Sequence, residues 1–266
     1  MGNVLKKVRE NNPLIHNITN VVTINDVANV LLALGASPIM ADEVDEVEEI
    51  TSIAQGLLLN LGTLNHRTIL AMLKAAKKAK EKGIPIVLDP VGAGASTLRT
   101  KTAKEIVREI HPTCIKGNRS ELYALTHGVS HTKGVDAAEE DQKGNIEDLV
   151  KEAKHFAREL GAIVVITGAV DVVADSEHAI AIHNGHPMMA KITGSGCMLG
   201  GVITAFLACG EANIETVAEA SMRFGIAGEK AYEKSSGPGS FRHCLMDAVA
   251  ALVEEDVEKE GRYEYR

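Results

Sequence analysis

GLLLNLGTLNHRTILAMLKAAKKAKEKGIPIVLDPVGAG, residues 56–94, holds the pattern that decides the fold. Gly56-Leu-Leu-Leu-Asn60 is short, apolar and bounded by turn residues, as a buried strand is. From about Asn65 to Lys82 the chain reads as a helix, which Gly83 ends. Ile84-Pro-Ile-Val-Leu-Asp89 is the next strand. Two strands joined by a helix of that length form a βαβ unit, so the strands run parallel.

The same alternation extends in both directions. Toward the N-terminus, Thr23 to Leu34 reads as a helix stopped by Gly35, and Ser37-Pro-Ile-Met40 as a short extended segment. Glu43 to Ala54 reads as a helix whose acidic first turn suits its dipole. Toward the C-terminus, Arg99 to Glu109 is helical, Thr113 to Lys116 extended, and Asn118 is placed to cap a helix running to about Thr126. A polar loop occupies the region near 128–146. Ile146 to Leu160 is then a helix and Ala162-Ile-Val-Val-Ile166 a strand. Val170 to Lys191 holds short alternating pieces, and Asn184-Gly185 is a turn signal, which predicts a hairpin. From Gly196 onward everything reads helical, over 197–209, 213–235 and 239–259. The expectation is an α/β fold: a central, mainly parallel sheet flanked by helices, with a helical C-terminal part. Neither a linker nor an internal repeat divides the chain, so residues 1–266 are expected to form a single domain.

Composition excludes several classes of function. The formal net charge is −8, and only 3% of the residues are aromatic, with no Trp. A phosphate-backbone binder needs the opposite charge, and a single-strand binder needs stacking platforms. Nucleic acid is therefore not an expected partner. Residues 192–210, ITGSGCMLGGVITAFLACG, carry no charge over 19 positions. The first five are polar and glycine-rich, and the remaining ~13 are too few for a membrane span. A buried core helix is expected instead, and no membrane partner. Cys114, Cys197, Cys209 and Cys244 form no C-x-x-C pair, so no zinc or dithiol motif is present. The opening MGNVLKKVRENNPLIHN has no signal-peptide core, and Lys6 stands where myristoylation needs Ser or Thr. These features predict a cytoplasmic protein with reduced thiols.

In open α/β sheets, ligands sit beyond the carboxyl ends of the parallel strands. Those ends are Met40, Asn60-Leu-Gly62-Thr63, Asp89-Pro-Val-Gly92, Lys116-Gly-Asn118 and Thr167-Gly168. Strands often end in turn residues, which accounts for the glycines; Asp89, Lys116 and Thr167 bring phosphate or metal chemistry. Thr193-Gly-Ser-Gly-Cys197 opens the uncharged helix, where glycines and a helix N-terminus can aim N–H groups at an anion. It reads equally as a tight turn capping a buried helix, and it is neither a Walker A loop nor a dinucleotide fingerprint. A helix start can lower the pKa of Cys197, although a small buried residue is the commoner role there. Asn118-Arg-Ser-Glu121 puts an amide and a carboxylate on one helical face, which is also a capping pattern. His183 and His186 flank the Asn184-Gly185 turn without a third metal ligand nearby.

Taken together these residues resemble the hydroxyethylthiazole kinases of thiamine synthesis and salvage, within the ribokinase-like group. The resemblance runs from Pro13 to about Asp256. It is carried by Leu14-Ile-His-Asn-Ile-Thr-Asn20, Leu31-Leu-Ala-Leu-Gly-Ala-Ser-Pro-Ile-Met40, Leu59-Asn-Leu-Gly-Thr63, Val87-Leu-Asp-Pro-Val-Gly-Ala-Gly-Ala95, Ile115-Lys-Gly-Asn118, Thr167-Gly168 and Thr193-Gly-Ser-Gly-Cys197. The resemblance implies transfer of the ATP γ-phosphate to the primary alcohol of 4-methyl-5-(2-hydroxyethyl)thiazole, with Mg²⁺, in a homotrimer whose thiazole sites lie near subunit boundaries. It assigns Met40, Gly194, Asn20, Gly62 and Thr63 to the substrate, and Lys116, Thr167, Asn118 and Gly168 to ATP. Asp89 and Glu121 are implied for Mg²⁺, and the amides of Gly194, Ser195, Gly196 and Cys197 for the transferring phosphoryl group. Cys197 stands where most of the ribokinase-like group carries an aspartate base, so either the thiol or water activated by Asp89 takes the hydroxyl proton. The alternatives are a kinase for another small alcohol such as hydroxymethylpyrimidine, an ATP-dependent dehydratase of a hydrated nicotinamide cofactor, or a ligand-binding protein without catalysis.

Overall fold

The computed structural model describes residues 4–127 and 145–266. In chain order the elements are α1 (Val4–Asn11), β1 (Leu14–Ile18), α2 (Ile24–Leu34), β2 (Ser37–Ile39), α3 (Val47–Ile53), β3 (Gly56–Asn60), α4 (His66–Lys82), β4 (Ile86–Asp89), α5 (Thr97–Ile110), β5 (Cys114–Gly117) and α6 (Arg119–His127). There follow α7 (Ile146–Leu160), β6 (Ile163–Ile166), β7 (Asp171–Ala174), β8 (Ala179–Ile182), a short 3₁₀ turn (Pro187–Lys191), α8 (Ser195–Cys209), α9 (Ile214–Lys234), α10 (Pro238–Ala250), α11 (Asp256–Glu260) and β9 (Tyr263–Tyr265).

One nine-stranded sheet has the order β2-β1-β3-β4-β5-β6-β7-β8-β9. The strands from β2 to β6 run parallel and the last three pairings are antiparallel. Strand side chains alternate between two apolar layers. Leu58, Val87, Cys114 and Val165 face the layer of α1, α2, α8, α9 and α10. Leu57, Leu59, Leu88, Ile115 and Val164 face the layer of α3 to α7. This is the α/β architecture that the 56–94 stretch implies. The polar loop expected near 128–146 lies almost entirely outside the described residues.

The uncharged run 192–210 becomes α8, buried between the sheet and its helical neighbours rather than exposed. Among the described residues no helix is long and apolar enough to cross a membrane. Burial against β3 and β4 fixes where α8 begins, and that start is the anchor of the site.

Several local expectations need correction. Asn184-Gly185 is not a hairpin turn. The β7–β8 turn is at Asp175–His178, where Asp175 Oδ1 accepts the N–H groups of Glu177 (2.8 Å) and His178 (2.7 Å). Asn184 instead accepts the Arg262 N–H at 2.8 Å and donates to the Glu260 carbonyl at 3.0 Å, tying the C-terminal segment down. The helix expected over 239–259 breaks between α10 and α11. There the carbonyls of Leu252 and Val253 turn outward to the guanidinium groups of Arg9 (2.7 Å) and Arg223 (2.8 Å). The helix expected from Glu43 starts only at Val47. Helix α1, the edge strand β9 and, most importantly, β1 are additions. Strand β1 carries the buried polar residues His16 and Asn17, which break its apolar pattern. His16 is satisfied across the fold, with Nε2 donating to the Ala41 carbonyl at 2.8 Å and Nδ1 2.9 Å from Thr51 Oγ1.

Candidate active site

Side-by-side parallel strands give the sheet one long C-terminal rim. Met40 follows β2, Asn20 follows β1, and Asn60 with Gly62 and Thr63 closes β3. Asp89 ends β4, Lys116 lies near the end of β5 with Asn118 after it, and Thr167-Gly168 follows β6. Five strand spacings of about 4.8 Å put Met40 roughly 24 Å from Thr167. That length accommodates two small molecules end to end, with Asp89 near the middle.

The centre is a buried polar cluster. Asp89 is 1% exposed and Lys116 4% exposed. Lys116 Nζ lies 3.3 Å from Asp89 Oδ2 and donates to the Gly196 carbonyl at 3.0 Å. Asn60 Nδ2 donates to the same Asp89 oxygen at 2.8 Å. Asp89 Oδ1 is buried and, among the described residues, has no hydrogen-bond partner. Burial pushes the Asp89 carboxyl up against the pull of Lys116 and Asn60. Burial alone would lower Lys116, but the charge of Asp89 and a hydrogen bond to it hold the ammonium above its ordinary value. The cation at this position is therefore permanent at neutral pH.

Asn60 also joins this centre to the residues that follow β1 and β3. Its Oδ1 accepts from Asn20 Nδ2 at 2.9 Å and from the Gly62 N–H at 3.0 Å. Asn20 Nδ2 is 3.3 Å from Cys197 Sγ, and Thr63 Oγ1 accepts the Val21 N–H at 3.1 Å. Met40 packs against the same apolar cluster as Cys197. Asn20, Gly62, Thr63 and Cys197 are thus brought together, with Met40 at the outer end of the rim.

The Gly194–Cys197 turn meets the centre where Lys116 donates to the Gly196 carbonyl. Gly194 caps α8 at φ +90°, so the N–H groups of Ser195, Gly196 and Cys197 open the helix without intrahelical acceptors. A Cβ on Gly194 would come 2.7 Å from Thr23 Cγ2, so both the conformation and the space demand glycine. Of the two readings of Cys197, the lowered thiol pKa is not the one the structure gives. Burial, reinforced by the charge of Asp89, pushes the thiol up, and Lys116 only partly offsets that. Cys197 is a neutral thiol at pH 7.

At the far end of the rim Thr167 is half-buried and Gly168 exposed. The Thr167 N–H is spent on the Gly117 carbonyl (2.9 Å) and the Gly168 N–H on Asp171 Oδ1 (3.0 Å). The Asn118 side chain serves α6, accepting the Glu121 N–H at 2.8 Å. Glu121 Oε2 accepts the Asn118 N–H at 2.9 Å and its Oε1 the Gly92 N–H at 2.8 Å. Burial and the neighbouring Asp89 push the Glu121 carboxyl up to about 7. The capping pattern is therefore real, and it holds the carboxylate beside Asp89.

The sequence model of the hydroxyethylthiazole kinase family matches residues 5–255. The chain belongs to the hydroxyethylthiazole kinase family. It is 47% identical over 269 residues to a hydroxyethylthiazole kinase of Clostridium acetobutylicum, covering 98% of this chain and 97% of that one. The solved hydroxyethylthiazole kinase of Pyrococcus horikoshii OT3 superposes with a TM-score of 0.90 at 40% identity, covering 99% of this chain and 97% of that one. A ribokinase-like superfamily protein of Enterococcus faecalis, 14% identical with a TM-score of 0.64 and 91% and 88% covered, shares the fold alone.

For a hydroxyethylthiazole kinase, the residue that sequence reasoning undervalued is Asn60. It was visible only as a strand end, yet a buried amide closing an all-Leu strand is itself a signal, because burial obliges it to find partners. The anion loop gives a direct check. Gly194→Ala is expected to lower kcat about 10- to 100-fold, because left-handed strain and displacement of Thr23 move the amides off the reacting group. Steady-state kinetics beside a melting curve will show it, and activity within about threefold of the parent enzyme would mean that the loop amides do not matter.

Proposed function

We propose that this protein transfers the γ-phosphoryl group of ATP to the hydroxyethyl group of 4-methyl-5-(2-hydroxyethyl)thiazole, in thiamine biosynthesis or salvage. Family membership supports the reaction. The observation that carries the site assignment is the line along the rim: an alcohol-side group, a buried Asp89–Lys116 centre under the anion loop, and an open rim at Thr167. The whole chain serves as one kinase domain of 266 residues working in the cytoplasm.

Phosphoryl transfer asks for positioning and for neutralisation of spreading charge more than for covalent chemistry. Lys116 and the Thr167 hydroxyl hold the nucleotide phosphates, with Asn118 and Gly168 shaping that side. The Ser195, Gly196 and Cys197 amides receive the transferring group, as an oxyanion hole receives developing charge. Met40, Asn20, Gly62, Thr63 and Gly194 surround the thiazole alcohol. The orphaned Asp89 Oδ1 fits a hydrated cation, since Mg²⁺ keeps several waters and binds through one or two carboxylates plus phosphates. Asp89 would hold that Mg²⁺ with Glu121 beside it, and the ion would neutralise phosphate charge. Among the described residues there is no cluster of three or more acidic, His or Cys ligands, which accords with a cation completed by substrate and water.

A neutral thiol is a weak proton acceptor, and the upward shift of the Asp89 carboxyl suits it better to taking the hydroxyl proton through water. Cys197→Ala is therefore expected to lower kcat only about 10- to 100-fold, below the 10²–10⁴ of a full general base. A loss of four decades, at the top of the general-base range, would instead make the thiol the principal base.

Val21 and Val22, 73% and 60% exposed, stand beside Asn20. This apolar edge supports a homotrimer in which a neighbouring subunit borders the alcohol site. A monomer in solution with full activity contradicts it. The substrate is tested by a panel of alcohols with ATP and Mg²⁺. Turnover should be highest with the thiazole alcohol. Preference for hydroxymethylpyrimidine, or dehydration of a hydrated nicotinamide cofactor, would replace the substrate assignment.

A further inference from the structure

Arg99 stands in the first turn of α5, capped by Ser96, whose Oγ accepts the Arg99 N–H at 3.3 Å. A cation there opposes the helix dipole, so local preference does not explain it. Among the described residues it forms no ion pair with a carboxylate within 4.0 Å. Its guanidinium is half-buried and donates to two carbonyls on neighbouring rim loops. Nη1 reaches Val91 O at 2.8 Å and Nη2 reaches Gly62 O at 2.6 Å. Gly92 sits at φ +74°, and a Cβ there would fall 2.5 Å from Arg99 Nη1.

These two bonds close a ring. From Arg99 the path runs through the Gly62 carbonyl and N–H to Asn60 Oδ1, and from Asn60 Nδ2 to Asp89 Oδ2. It returns through the Asp89 carbonyl, which accepts the Val91 N–H at 2.9 Å, and through the Val91 carbonyl to Arg99. One side of the ring carries the alcohol-side residues Gly62 and, through Asn60 and Asn20, Cys197. The other carries Asp89. A planar fork with two donors in fixed register can hold two loops at one separation, which a lysine cannot.

We propose that Arg99 is a positioning residue for phosphoryl transfer, clamping the alcohol-side loop to the Asp89 loop so that the acceptor hydroxyl, and not water, meets the phosphoryl group. The inference rests on the kinase reading above. It does not require Arg99 to touch either substrate. When the clamp is lost the alcohol sits off line, and water attacks in its place, giving ADP and inorganic phosphate without phosphorylated alcohol.

The test compares the parent enzyme with Arg99→Met and Arg99→Lys, measuring kcat, KM for each substrate, the ratio of ADP to phosphorylated alcohol, and thermal melting. Arg99→Met is expected to lose about 10- to 100-fold in kcat, the cost of a misplacement near 1 Å, with smaller changes in either KM. Its ADP-to-product ratio should rise from one to well above one, and Arg99→Lys should fall between the two. Loss of folded protein lowers both products together and leaves the ratio at one. If Arg99→Met does not stay folded, the ratio in Arg99→Lys decides. A ratio of one in both variants, or a kcat within threefold of the parent, overturns the proposal. Should the parent enzyme prefer another alcohol, the substrate reading fails separately, and the same ratio is read on that alcohol.

Discussion

Asp89→Asn is expected to lower kcat by about 10³-fold, with KM for the alcohol within about threefold of the parent. The substitution preserves shape, and the new amide can still accept from Asn60. What it removes is the charge facing Lys116 at 3.3 Å and the free acceptor at Oδ1. Lys116 is then buried without its principal counter-charge, and the unpartnered oxygen that suits a hydrated cation or the substrate proton is weakened. The alcohol-side contacts through Asn20 and Gly62 are untouched, so binding of the alcohol should survive. Steady-state kinetics with both substrates varied will test this. Activity above a tenth of the parent would show that Asp89 is a structural partner of Lys116 and little more.

Lys116→Met is the second large effect, expected to reduce kcat/KM for ATP by about 10²- to 10³-fold, the range for one preorganised electrostatic contact. The stem still fills the space under α8, but two interactions vanish: the pair with Asp89 and the hydrogen bond to the Gly196 carbonyl at 3.0 Å. Leaving a buried carboxylate unpaired costs about 3–5 kcal/mol, so the melting temperature should fall as well. Folded fraction must therefore be measured beside the rate. The expected signature is a rate loss far larger than the loss of folded protein. Equal losses in the two would assign Lys116 to stability.

Much of the architecture was legible because its signals are local. The Leu run at 56–60, the helix to Lys82 and the strand to Asp89 are each bounded by residues that the chain itself supplies. Strand β1 was not legible, because buried polar residues break its apolar pattern and His16 is satisfied from far away. His16 meets Thr51 and Ala41, and no window around residue 16 contains them. The Asn184-Gly185 dipeptide failed for a related reason. Its turn propensity is real, but Asn184 serves distant backbone at Glu260 and Arg262 instead.

The site divides in the same way. Met40, Asp89, Lys116 and Thr167 could be named from strand ends, whereas the spatial order of the strands, which lays them in a line, is not written in any segment. The hub at Asn60 and the clamp at Arg99 depend on that order. For Cys197 the sequence offered a lowered thiol pKa beside the commoner structural role. The dipole of a helix start favours the thiolate, but burial and the nearby Asp89 outweigh it. For Glu121 the capping reading is seen directly, and the backbone bonds that cap α6 also hold its carboxyl group near Asp89.

The measurement closest to the central claim follows the γ-phosphoryl group itself. Purified protein is given ATP labelled at the γ-phosphate, Mg²⁺ and 4-methyl-5-(2-hydroxyethyl)thiazole, and the products are resolved by mass. The account predicts that the label moves to the hydroxyethyl oxygen of the thiazole, one thiazole phosphate for each ADP, and that Asp89→Asn abolishes the transfer on the same timescale. Label appearing only in inorganic phosphate, or no ADP formed while the thiazole alcohol is present, would contradict it.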